Sequence, residues 1–256
     1  MSALQATRLF GMESGPRMFL DAVAKGKLHL AKFIVAASDN SLDVLNVKDS
    51  EGRTALITSV VSIPEIRTRT KMVAMICDKG GDTDIQDNHG GTALYYACQL
   101  RANELVKILI KRGVDPNLSD ESGCTPLIMC CRVGNDIGTE ILVKCYRRLG
   151  LDVDHEDGNG MTALMTALKQ GYHECARVLV HLGKASLTKK AQQKEGCMDP
   201  IEWALRNGYS QEEIDSIVQK HAVDDLLAVR DQLNVARTLS NFDSDLSATD
   251  ETDTDN

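Results

Sequence analysis

The stretch GGTALYYACQLRANELVKILIKRGVDPNLSD, residues 90–120, decides the fold because its pattern recurs along the chain. Aligned on Thr92, the same signal stands at Thr54 (EGRTALITSV), Thr125 (SGCTPLIMCC) and Thr162 (GNGMTALMTAL), at spacings of 38, 33 and 37 residues. Each copy follows an Asp (Asp49, Asp87, Asp120, Asp157), two further residues and a Gly, which is turn chemistry. Each Thr is placed to cap a helix N-terminus, with Ala or Pro at the first helical position, where a missing N–H costs nothing. In the quoted unit a first helix runs to about Leu100. A second spans Asn103 to Lys111, with Leu105, Val106, Ile108, Leu109 and Ile110 apolar, and Gly113 ends it.

These residues resemble ankyrin repeats. The core D-x-x-G-x-T-P-L-H-x-A of that family is matched by Asp120, Gly123, Thr125, Pro126 and Leu127. Its terminal G-A-D-x-N is matched by Gly113, Asp115 and Asn117, and more loosely by Gly80, Asp82 and Asp84 and by Gly150, Asp152 and Asp154. The resemblance covers about residues 17 to 220 and implies an all-α solenoid of about six helix-turn-helix units. The outer two are degenerate caps: RMFLDAVAKGKLHLAKFIVAASD (17–39), with Ala22, Gly26, Leu30, Phe33 and Ile34 in register, and GCMDPIEWALRNGYSQEEIDSIVQK (196–220), with Asp199, Pro200 and Ile201 in place of Thr-Pro-Leu.

Two departures from the family pattern stand out. The family's His is replaced by Ile57, Tyr95, Ile128 and Met165, so its polar turn-to-turn contact is expected to be apolar here. Two units are longer than 33 residues, and the extra residues, in 62–70 and 134–140, are expected in loops between the paired helices.

Of 256 residues 43% are hydrophobic but only 4% aromatic, which suits closely packed helices built from Leu, Val, Ile, Ala, Met and Cys. The net charge is −8; residues 240–256 hold six acids and no base, leaving −2 for the rest. So balanced a body gives no electrostatic reason to bind nucleic acid directly, and KCYRR (144–148) and TKK (188–190) read as solvated faces. With no secretory leader and no window of membrane-spanning length, a cytoplasmic or nuclear location without membrane insertion is expected. The first 16 residues are expected to be flexible, 221–239 to form one amphipathic helix that docks on the last repeat or, as the alternative, binds a partner, and the acidic 240–256 to be disordered. Ser240, Ser247 and Thr252 each precede an acid by three positions and are candidate phosphorylation sites.

No catalytic, cofactor-binding or metal-ligating set emerges. Cys98 and Cys131 share one first-helix position, Cys130 takes the small-residue position of Ala97 and Ala167, and Cys175 matches Leu105, so these thiols read as compact core residues. Cys124, Cys130, Cys131 and Cys145 fit no zinc spacing. The histidines lack metal-ligand spacing, no phosphate loop or nucleophile elbow is present, and His155-Glu156-Asp157 falls on a turn between units. Trp203 reads as a cap on the last apolar layer rather than a binding anchor.

Function then falls to the concave surface of turn tips and first helices, which the resemblance implies is a contact face for another protein or peptide. The family's variable positions correspond to Arg53, Val61 and Ser62; Asn88, His89, Gln99 and Leu100; Glu121, Ser122, Arg132 and Val133; and Asn159, Met161, Lys169 and Gln170. The mixture of charge, amide and apolar groups suits a protein ligand. The expectation is a monomeric, non-enzymatic adaptor or scaffold. Charge reversal at Arg132 and Lys169 is expected to weaken partner binding without changing thermal unfolding. The alternative is a transcriptional regulator resembling the inhibitor-of-NF-kappa-B group, in which repeats precede an acidic segment. An enzyme using the cysteines is a third reading, with only thiol placement behind it.

Overall fold

The computed structural model describes residues 14–38, 41–193 and 196–218. The helix expected at 221–239, the acidic 240–256 with Ser240, Ser247 and Thr252, and most of 1–16 lie outside the described residues. The chain divides between Tyr209 and Ser210 into two units. In the second, 211–218 is helical.

In the first unit the helices are α1 (Ser14–Ala24), α2 (Leu28–Ala37), α3 (Ser41–Leu45), α4 (Ala55–Ser62), α5 (Ile66–Asp78), α6 (Ala93–Gln99), α7 (Asn103–Lys111), α8 (Pro126–Val133), α9 (Asp136–Leu149), α10 (Ala163–Gln170), α11 (His173–His181) and α12 (Pro200–Arg206). The first helices α4, α6, α8, α10 and α12 pack one on the next, and α5, α7, α9 and α11 form a second layer beside them. This is the stacked solenoid of helix pairs that the sequence implies.

Local chemistry starts each first helix. Thr54, Thr92, Thr125 and Thr162 are extended N-caps whose hydroxyls accept the N–H of Ile57, Tyr95, Ile128 and Met165. Each such cap is worth roughly 1 kcal/mol. In the last unit Asp199 replaces Thr and forms a full capping box with Glu202. Two residues into each helix stand Leu56, Leu94, Leu127 and Leu164, none more than 1% exposed. A fully buried Leu stabilises by about 1.5–3 kcal/mol. Three residues further on, Ser59, Ala97, Cys130 and Ala167 are fully buried. Their small side chains allow close approach of neighbouring helices.

A second set of links joins the segments after the second helices. Asn46 Oδ1 accepts the Asp82 N–H, Asp84 Oδ1 that of Asp115, and Asp154 that of Ser186, each one unit further on. These are the counterparts of the family's G-A-D-x-N segment.

Four details differ from expectation. The extra residues at 62–70 and 134–140 do not form long loops: α5 has 13 residues and α9 has 14, against 9 in α7, so they add about one turn to the second helix. The added turn keeps the apolar phase, burying Met72, Val73 and Ile76 in α5 and Leu142, Val143 and Tyr146 in α9. A short antiparallel hairpin, β1 (Ala191–Gln193) with β2 (Gly196–Met198), interrupts the otherwise helical architecture between α11 and α12. Helix α1 begins at Ser14, ahead of the expected start at Arg17, and α3 adds a turn of helix before the second repeat.

Candidate protein-binding face

The turn tips are built alike. Oδ1 of Asp49 accepts the N–H of Glu51 and Arg53; that of Asp87, His89 and Gly91; that of Asp120, Ser122 and Cys124; and that of Asp157, Asn159 and Met161, all at 2.8–3.0 Å. Successive tips are then stitched by backbone bonds: Asn88 N–H to Glu51 O at 3.0 Å, Glu121 N–H to His89 O at 3.1 Å, and Gly158 N–H to Ser122 O at 2.7 Å. The close approach leaves no room for a side chain at Gly90, where a Cβ would lie 2.8 Å from the Glu121 nitrogen and φ is already +77°.

The second oxygen of each turn carboxylate is also engaged. Arg53 Nε donates to Asp49 at 3.1 Å, the Tyr96 hydroxyl to Asp87 at 2.6 Å, the Tyr95 hydroxyl to Asp120 at 2.8 Å, and an Arg132 terminal nitrogen reaches Asp157 at 3.5 Å. Tyr95 stands where the family has His, so the polar turn-to-turn contact survives at one of four positions, contrary to the apolar contact expected there. At the other three, Ile57, Ile128 and Met165 are buried and apolar. Burial, and after it the bonds to Asp120 and Asp87, raise the pKa of Tyr95 and Tyr96, so both stay donors at ordinary pH.

The residues expected on the contact face do not all reach solvent. His89, Gln99, Leu100, Glu121, Lys169 and Gln170 are exposed, and Arg53, Arg132 and Val133 half-buried. Met161 is 4% exposed and packs with Met165 against Trp203, so it is a core residue and not a contact residue. Trp203 from the next unit covers it, which fits Trp203 as a cap. Arg53 and Arg132 do structural work on the turn carboxylates as well as facing solvent.

Two side chains of this face follow from the repeat register but lie beyond the set chosen from sequence. Tyr96 ties its own unit's turn through Asp87. Arg206 occupies in the last unit the position of Arg132 and Lys169, seven residues after the cap at Asp199, Thr125 and Thr162 respectively. Arg206 is reached by carrying the alignment into the last unit, whereas Tyr96 lies inside the quoted unit and reads as apolar in its pattern.

The cysteines and turn-tip carboxylates, which have the chemistry for catalysis, lie in the core or are occupied. Cys98, Cys124, Cys130, Cys131, Cys145 and Cys175 are buried and Cys77 half-buried. Burial pushes the Cys124 thiol up to about 12 and raises Cys130 and Cys131 well above the ordinary range. Cys175 is lowered by the hydrogen bond from Cys131, against its own burial. In the turn group, Asp157 is fixed by its backbone bonds and Glu156 pairs with Lys189 at 3.3 Å. Among the described residues, no group of three or more His, Cys, Asp or Glu side chains is arranged to hold a metal ion, and no helix is long and apolar enough to cross a membrane.

Comparison with known proteins agrees with this architecture. A family model for ankyrin repeats in three copies matches residues 19–120 and 101–191. Ankyrin repeat domain-containing protein 63 of Mus musculus is 33% identical over 166 residues, 65% of this chain and 42% of that protein. Its Homo sapiens counterpart is likewise 33% identical over 166 residues, with 43% of its length covered. A putative ankyrin repeat protein, L92, of Acanthamoeba polyphaga mimivirus is 37% identical over 67 residues, 26% of this chain and 15% of that protein. The matched region thus spans less than half the length of each of these relatives.

Proposed function

Because the chain belongs to the ankyrin-repeat family, we propose that it is an intracellular adaptor or scaffold without catalytic activity that binds a partner protein on the face formed by turn tips and first helices. Ankyrin repeats generally mediate protein–protein interaction. The observation that carries it to this face is the contrast within the tips: the backbone and Asp carboxylates are saturated by bonds inside the stack, while His89, Gln99, Leu100, Glu121 and Gln170 project from it without a structural task. Leu100 is 48% exposed next to the amide of Gln99, and the register position it holds is taken by Val133 and Gln170 in the next two units, a mixture of apolar and amide groups found in protein interfaces.

The test is proximity labelling in cells of the native source, comparing the full chain with Leu100→Glu/Gln170→Glu. Loss of partners with an unchanged melting curve supports the reading. An unchanged partner set moves the contact away from this face.

A further inference from the structure

The position seven residues after each helix cap carries Arg132 in α8, Lys169 in α10 and Arg206 in α12. The three helices pack in series, so the three cations form a row along the stack. Two of them are unusually placed. Lys169 Nζ lies 5.2 Å and the Arg206 guanidinium carbon 6.0 Å from the centroid of the Trp203 ring. Trp203 is itself only 8% exposed, packed against Met161 and Met165. A buried ring under both side chains limits their freedom before any ligand arrives, which lowers the ordering cost of binding.

The charge of this row is poorly compensated. Among the described residues neither Lys169 nor Arg206 makes an ion pair. Glu202, one turn before Arg206, is turned to the Asp199 N–H in the capping box. Arg132 meets Asp157 through one terminal nitrogen at the long distance of 3.5 Å, and Asp157 Oδ1 is already taken by two backbone N–H groups. The adjacent position in the same helices or just beyond them holds Val133, Gln170 and Asn207, all uncharged.

We infer that this row binds an extended acidic peptide with carboxylates at every third residue. Neighbouring helices pack about 8–10 Å apart, which sets the spacing of the cations. An extended chain in the polyproline II conformation has three residues per turn and rises about 3.1 Å per residue, so side chains three apart return to the same face at roughly 9 Å. A peptide along the stack thus presents one acid to each of Arg132, Lys169 and Arg206. Nucleic acid fits less well, since only three cations are present, the body of the chain is net acidic, and the Trp203 ring is too buried to stack a base. The inference rests on the protein-binding reading and specifies its ligand.

Fluorescence anisotropy with the full chain tests it, using a labelled nine-residue-scale peptide of repeated Asp-Ser-Gly and a permuted peptide of identical composition with its Asp residues contiguous. The expected result is tighter binding of the periodic peptide by about fivefold or more. Binding is expected to weaken at least roughly tenfold between about 20 and 200 mM salt. It should weaken similarly in Arg132→Gln/Lys169→Gln/Arg206→Gln, and be retained in Arg132→Lys/Arg206→Lys, which keeps the charge should the triple variant fold poorly. Equal binding of the two peptides, no binding, or preference for a single-stranded oligonucleotide overturns the inference. If the peptide fails while Leu100→Glu/Gln170→Glu still loses partners in cells, the protein-binding reading stands without it; if both fail, neither stands.

Discussion

The Tyr95 hydroxyl donates a 2.8 Å hydrogen bond to Oδ2 of Asp120, the carboxylate that organises the next unit's turn. Oδ1 of the same carboxylate holds the N–H groups of Ser122 and Cys124, so one side chain of α6 braces the geometry of a neighbouring unit. Hydrogen bonds to charged groups contribute about 1.5–3 kcal/mol. Tyr95→Phe is expected to cost roughly 1.5 kcal/mol and to lower the melting temperature by a few degrees, read by circular dichroism. An unchanged melt would mean that the tip ladder holds Asp120 without help.

The same bond makes a pH prediction. Burial pushes the Asp120 carboxyl up, but the hydrogen bonds from Ser122 and Tyr95 and the backbone N–H groups outweigh it and hold the pKa below the usual value of about 3.8. A carboxyl lowered on folding contributes stability that is present above its unfolded pKa and is lost as pH falls through the folded pKa. Tyr95→Phe removes part of that lowering. The stability difference from wild type is therefore full at neutral pH and shrinks below about pH 4. Urea titrations at the two pH values measure it; a difference that grows on acidification contradicts the assignment.

Two glycines separate backbone conformation from crowding. Gly90 and Gly113 have φ of +77° and +80°, yet a Cβ at Gly113 meets nothing within 4 Å whereas at Gly90 it strikes the Asp120 and Glu121 backbone below 3.0 Å. Gly113→Ala carries the left-handed penalty alone, about 1–2 kcal/mol. Gly90→Ala must also open the tip ladder and is expected to cost clearly more. Equal chemical-denaturation midpoints for the two variants would show that the tips yield freely.

What could be read from sequence was the chemistry that acts locally. Asp at the turn, Thr at the cap and Leu two residues later each fix one feature by themselves, so recurrence revealed the units. The added helical turns were hidden because IRTRT and GTE look polar and loop-like, although Met72, Val73 and Ile76 and then Leu142, Val143 and Tyr146 continue the helical phase. Tyr95 was misjudged because a tyrosine counts as apolar in a pattern while its hydroxyl acts one unit away. Met161 stood at a position that is variable in the family, and only the arrival of Trp203 from the next unit buries it. For Tyr95 and Met161 the missing information was a contact between units.

Thiol reactivity follows from burial. Of the chain's eight cysteines, seven have described side chains (Cys77, Cys98, Cys124, Cys130, Cys131, Cys145 and Cys175), and among these Cys77 alone is half-buried. Burial raises its pKa, partly offset by Arg112, so its thiolate is scarce but reachable. Maleimide labelling of the native chain followed by peptide mass spectrometry should mark Cys77 first among these seven and the other six only in denaturant. Early labelling of Cys131 or Cys175 would mean that the α8–α11 region opens readily.

Arg132 bears on both stability and recognition, so the two substitutions that alter its charge should act differently. Its guanidinium lies 3.5 Å from the Asp157 carboxylate, whose side chain is 4% exposed and fixes the turn before α10. Arg132→Glu would set a second carboxylate beside a buried one, and like charges at such range are unfavourable. It is expected to destabilise the stack by about 1–2 kcal/mol, in contrast to the neutral effect expected of a purely surface charge. Arg132→Gln removes the cation without adding an opposing charge and should melt within about 0.5–1 kcal/mol of wild type, the range of an exposed ion pair. If both variants melt alike, the contact with Asp157 has no energetic weight and Arg132 is free to serve a ligand alone. If only the Glu variant falls, any partner lost on charge reversal there reflects a disturbed turn, and the Gln variant is the one that reports on binding.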